Sequence, residues 1–94
     1  MTTPQCDRTT PTACFSVLAR AEPGVLPRIL ELFAKRGLVP ASVQAWQTGA
    51  DELTVEIRMN GMEQPLAVYI GECLRAIFTV EQVLVSESRQ ADVA

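Results

Sequence analysis

A chain of 94 residues, 48% of them hydrophobic, suits one domain around a single core and is too apolar for a disordered segment. Its formal net charge of −3 offers no basic footprint for nucleic acid or for an anionic membrane. With no histidine, the commonest proton shuttle at neutral pH and a common zinc ligand are both missing.

Residues 1–12 are rich in Thr, Pro and charge and are expected to form a loose N-terminal tail, with the domain proper at 13–86 and a polar tail at 87–94. The first residues lack a basic region followed by an apolar core, so no secretory signal is expected. No stretch reaches the ~18 to 20 apolar residues that cross a bilayer. A first strand is predicted over 13–19, with Phe15, Val17 and Ala19 on one face and Cys14, Ser16 and Leu18 on the other. Pro23-Gly24 breaks it, and a helix follows over 25–35. Leu26, Ile29, Leu30 and Phe33 form its apolar stripe, widened by Leu32. Pro27 is tolerable in the first turn, where its missing N–H has no partner inside the helix. Gly37 is placed to take the left-handed cap that stops the helix.

A second strand is predicted over 42–48 and a third over 53–59, joined by Gly49-Ala50-Asp51-Glu52. In the third, Leu53, Val55, Ile57 and Met59 alternate with Thr54, Glu56 and Arg58, which gives one buried and one open face. A second helix starts near Pro65, with Leu66, Ile70, Cys73, Leu74 and Ile77 at helical spacing, and a last strand covers 80–85. The order is βαββαβ. It predicts an α+β, ferredoxin-like fold, an antiparallel sheet with both helices on one face.

Cys6, Cys14 and Cys73 are odd in number, lack a C-x-x-C spacing and fit no metal set; Cys73 is expected to be a buried small hydrophobe. A reducing cytoplasm is the consistent compartment. The acids Glu31, Asp51, Glu52 and Glu56 form no evident catalytic pair, so no enzyme activity and no cofactor are expected. Acylphosphatase shares the topology and the length, but its glycine-rich phosphate-binding turn is missing. RNA-recognition domains share the topology too. They stack bases on aromatics in the central strands, where this sequence offers Ser16, Leu18, Thr54, Glu56 and Arg58.

A glycine at the strand-to-helix turn, expected at positive φ, would let the backbone approach a small anion at the first free N–H groups of the helix. On the open face Leu18 and Trp46, the single tryptophan, are candidate anchors for a partner protein, and incidental exposure is the other reading.

Pro23-Gly24-Val25-Leu26 at the turn, Ile29, Leu32 and Phe33 in the helix, Arg36-Gly37 after it, the strand 53–59 and the closing 80–85 together resemble the ACT domain. This is the small amino-acid-sensing module of biosynthetic enzymes, and the likeness covers roughly residues 13 to 86. Within that family the chain looks most like the short regulatory subunits of acetolactate synthase. The resemblance implies an effector at the first strand–helix loop, with its carboxylate on the N–H groups of Gly24, Val25 and Leu26. The polar side chains that often complete the family's site fall at Ala21 and Val39, so those contacts are absent, while Glu22 could approach an ammonium group. Pro23 completes the turn.

The function so implied is a non-catalytic regulator of amino-acid biosynthesis. It would act on a thiamine-diphosphate-dependent large subunit and form a homodimer by pairing its second-strand edges. The other reading is a stand-alone homodimeric amino-acid sensor without an enzyme partner.

Overall fold

In the computed structural model of the chain, which describes residues 11–89, six elements follow one another. They are β1 (Pro11–Arg20), α1 (Val25–Ala34), β2 (Ser42–Gly49), β3 (Glu52–Asn60), α2 (Gln64–Arg75) and β4 (Val80–Arg89). The four strands form one antiparallel sheet in the order β2-β3-β1-β4. The expected ferredoxin-like βαββαβ fold is thus the observed one.

Alternation builds the core. Ala13, Phe15, Val17 and Ala19 of β1 and Val55, Ile57 and Met59 of β3 are buried, while the residues between them turn to the open face. From α1 come Val25, Ile29 and Phe33, and from α2 Ala67, Ile70 and Leu74. Phe33 meets Phe15 edge to face, with ring centroids 5.5 Å apart, and locks α1 onto the central strand. The end of α1 is closed as expected. Gly37 sits at φ 70°, its N–H donates to the Ala34 carbonyl, and the Leu38 N–H donates to that of Phe33. Just before this cap, the Arg36 guanidinium donates to the Tyr69 hydroxyl at 2.7 Å and lies over its ring, tying α1 to α2.

Three expectations are corrected. β1 begins at Pro11 and β4 continues to Arg89, because their ladder runs from Pro11↔Arg89 to Ala19↔Val80 and draws flanking polar residues into the sheet. The rest of both tails, with Cys6, lies outside the described residues. The buried stripe of α2 is Ala67, Ile70, Gly71 and Leu74, while Leu66 is exposed and Cys73 only half-buried. Small residues on that stripe let the helix come close to β4: a Cβ added at Gly71 would lie 2.9 Å from Val85 Cγ2. Finally, β2 is exposed along its whole length. Val43 and Ala45 pair with Ile57 and Val55 and so share the helix face, yet neither is buried.

Candidate functional site

The turn between β1 and α1 is held from both sides. The Arg20 N–H donates to the Thr79 carbonyl, and the Ala21 N–H donates to that of Asp51, each at 2.9 Å. One bond fastens the turn to the α2–β4 connection, the other to the β2–β3 hairpin. A register shift where Leu18 and Ala19 of β1 meet β4 lies directly beside the first of these bonds. The Glu22 N–H then bonds back to the Arg20 carbonyl at 2.9 Å, and the Val25 N–H to the Glu22 carbonyl at 3.1 Å. The chain has turned through the loop before α1 begins.

These bonds change which donors a ligand meets. The Val25 amide, expected to face an anion, is already taken. Among the described residues, no backbone acceptor takes the N–H of Gly24 or Leu26. Gly24 itself has φ −90°, so the expected positive φ is not found, and the turn needs no glycine for its backbone shape. A Cβ at Gly24 would meet nothing within 4 Å. What glycine leaves there is open space in front of the helix start.

That space is a groove of about 200 Å³, lined by Glu22, Gly24, Val25, Arg28, Ile77, Phe78 and Thr79. Of the sequence-predicted residues it brings together Glu22, Gly24 and Val25. Ala21, Pro23 and Leu26 flank it without lining it. Val39 is remote from the turn, since it follows the C-terminal end of α1 and Gly24 precedes the start. A ten-residue helix is about 15 Å long. Val39 is also 85% exposed, so within one chain it has no part in the groove.

Four lining residues escaped the sequence reading. Arg28 lies one helical turn after Gly24, which is a signal the sequence does carry, since residues four apart share a helix face. Ile77, Phe78 and Thr79 arrive from the far end of the chain with the α2–β4 connection. Phe78 is 92% exposed, an unusual setting for an aromatic ring. Glu22 stands 3.8 Å from the Arg20 guanidinium, and both side chains are more than half exposed, so that pairing is weak and can be exchanged for a ligand. The groove therefore holds a carboxylate, a guanidinium, a hydroxyl and an apolar wall.

On the other side of the sheet, Trp46, Thr54, Leu18 and Gln82 form one cross-strand row, so the two expected partner anchors share a face and a level. Trp46 is 42% exposed and Leu18 half-buried. Among the described residues, no group of three or more His, Cys, Asp or Glu could hold a metal ion. No helix there is long and apolar enough to cross a membrane.

A family model described as an ACT-like domain matches residues 6–92. Among solved structures, the ACT domain from GTP pyrophosphokinase of Chlorobium tepidum superposes with a TM-score of 0.71. It is 13% identical and covers 83% of this chain and 100% of its own. The C-terminal domain of the MgtC protein from Mycobacterium tuberculosis gives a TM-score of 0.69 at 14% identity, over 94% of this chain and 98% of its own. At such identities the likeness to solved structures is one of fold. No curated protein matches the sequence.

Proposed function

The chain belongs to the ACT-like domain family, and from that premise we propose that it is a non-catalytic regulatory domain that binds a free α-amino acid. The supporting observation is the groove between the β1–α1 turn and the α2–β4 connection, where Glu22, Arg28, Ile77 and Phe78 converge. An α-amino acid is an ammonium, a carboxylate and a side chain on one carbon. Glu22 suits the first, Arg28 with the amides at the start of α1 suits the second, and the apolar wall suits an aliphatic or aromatic third.

Calorimetry against the twenty amino acids tests this reading. Apolar amino acids are expected to bind weakly, because Glu22 and Arg28, which would hold the two charges, are both exposed to solvent, and Ala21 beside the groove offers no side-chain hydrogen bond. Arg28→Ala removes a charge-assisted contact worth roughly 1.5 to 3 kcal/mol and should weaken binding by about ten- to over a hundredfold. Phe78→Ala should weaken it as well. No binding at millimolar ligand, or binding that ignores both substitutions, refutes the site.

The regulated enzyme is proposed to be a thiamine-diphosphate-dependent acetolactate synthase large subunit of branched-chain amino-acid synthesis. The motif likeness at the turn, in α1 and in β3 supports this finer reading. Homodimerisation through the exposed β2 edge belongs to the same proposal, since an uncovered edge strand invites pairing. Co-purification of the large subunit from native lysate, with activity raised on reconstitution, is the expected result. Binding of an amino acid without any such subunit would favour the stand-alone sensor.

A further inference from the structure

The face of the sheet turned away from both helices holds a second depression, an open trough of about 410 Å³ across all four strands. Its floor is short, with Cys14 and Ser16 of β1, and exposed Leu84 is one of its walls. Along β3, Glu56 and Arg58 both line the trough, both are exposed, and among the described residues neither joins an ion pair. Two positions apart on a strand, they share a face and are separated by about 7 Å. The trough thus presents one positive and one negative charge side by side at mid-sheet, next to the apolar Trp46, Leu18 and Leu84.

We propose that this face is an interface between two copies of the chain, related by a twofold axis that crosses the strands between the levels of Glu56 and Arg58. Such an axis sets Glu56 of each copy against Arg58 of the other, giving two reciprocal ion pairs from a single surface. A twofold interface must be complementary to itself, and adjacent opposite charges satisfy that requirement where a patch of one sign would not. A net charge of −3 repels like copies in every orientation, and the reciprocal Glu56–Arg58 pairs offset that repulsion in this one.

The face is small. Four strands about 4.8 Å apart and three to four cross-strand levels about 7 Å apart give roughly 400 Å² per copy, or about 800 Å² in total. Stable interfaces bury about 1,200 Å² or more, so the association is weak, reversible and sensitive to salt. It is distinct from pairing at the β2 edge. Where both operate, one doubles the assembly formed by the other.

Sedimentation equilibrium of the full chain from about 10 μM to 1 mM, in low salt and in 0.5 M NaCl, provides the test. The weight-average mass should double with concentration in low salt, and the midpoint should rise at least tenfold in concentration in 0.5 M NaCl. Glu56→Arg and Arg58→Glu should each shift it at least tenfold, because each creates a like-charge contact. The double variant Glu56→Arg with Arg58→Glu should restore the wild-type midpoint, and its circular dichroism should match the wild type. Trp46 emission should move to shorter wavelength over the same concentration range. A wild-type mass independent of concentration overturns the proposal. So do single variants that associate like the wild type, and a double variant that stays dissociated.

Discussion

Gly71 is the position where the packing of α2 on the sheet can be weighed against the intrinsic preference of the helix. Replacing glycine by alanine inside a helix is worth about 1 kcal/mol in propensity. Here the new methyl would lie 2.9 Å from Val85 Cγ2, so Val85 or the helix must move. Overpacking of this kind costs about 1 to 3 kcal/mol. Val85 is half-buried and can yield in part, but its branched Cβ leaves it few rotamers. The packing term wins, and Gly71→Ala is expected to destabilise the domain by about 1 kcal/mol, a fall in Tm of about 4–8 °C. In a Val85→Ala background the obstacle is gone, and the same substitution should stabilise by about 1 kcal/mol. Urea denaturation followed by circular dichroism gives the four stabilities of this cycle. The expected coupling is about 2 kcal/mol. A Gly71→Ala effect that is the same in both backgrounds would refute close approach as the reason for this glycine.

Gly37→Ala should cost about 1–2 kcal/mol from backbone strain alone, since φ is 70° and an added Cβ meets nothing within 4 Å; a loss under 0.5 kcal/mol in the same assay would contradict this. Ile29→Ala, at a fully buried position, should cost about 2–5 kcal/mol, and a smaller loss would mean that α1 settles into the space. Gly24→Ala should change stability by less than about 1 kcal/mol, because φ −90° suits alanine. Its methyl intrudes on the groove, so amino-acid affinity should fall while Tm holds. A parallel loss of both would return Gly24 to a purely structural role.

Most of the fold is legible in the sequence because its signals are local. Leu53, Val55, Ile57 and Met59 announce a half-buried strand, and the stripe ending at Phe33 with Gly37 behind it announces a capped helix. What escapes is decided by distance. Ala67 and Gly71 carry little hydrophobic signal, yet their smallness selects the buried face of α2 over the larger Leu66. Val43 and Ala45 read as an inward pair, but whether a helix covers them depends on where α1 and α2 come to rest. In the groove, Glu22 and Gly24 are legible from the turn. Arg28 required the helix to be read from its start, and Phe78 required knowing that Thr79 accepts a hydrogen bond from Arg20. The taken amide of Val25 depends on the shape of the turn, which composition does not encode.

With both faces in water, β2 is held chiefly by its one ladder to β3, from Ser42↔Arg58 to Gly49↔Glu52. Segments held so lightly open at a fraction of the global unfolding free energy, and their amides exchange with solvent first. The hairpin that β2 forms with β3 also supplies the Asp51 carbonyl that fastens Ala21 beside the groove. Opening of this strand leaves Asp51 anchored on one side only, through Glu52 paired with Arg20 of β1, and so weakens the hold on Ala21. A ligand that binds only the fastened turn adds at most RT ln(1 + [L]/Kd) to the cost of opening, about 2.7 kcal/mol at a hundredfold excess over Kd. Occupancy of the groove is thereby written into the exchange rates of a strand that never touches the ligand.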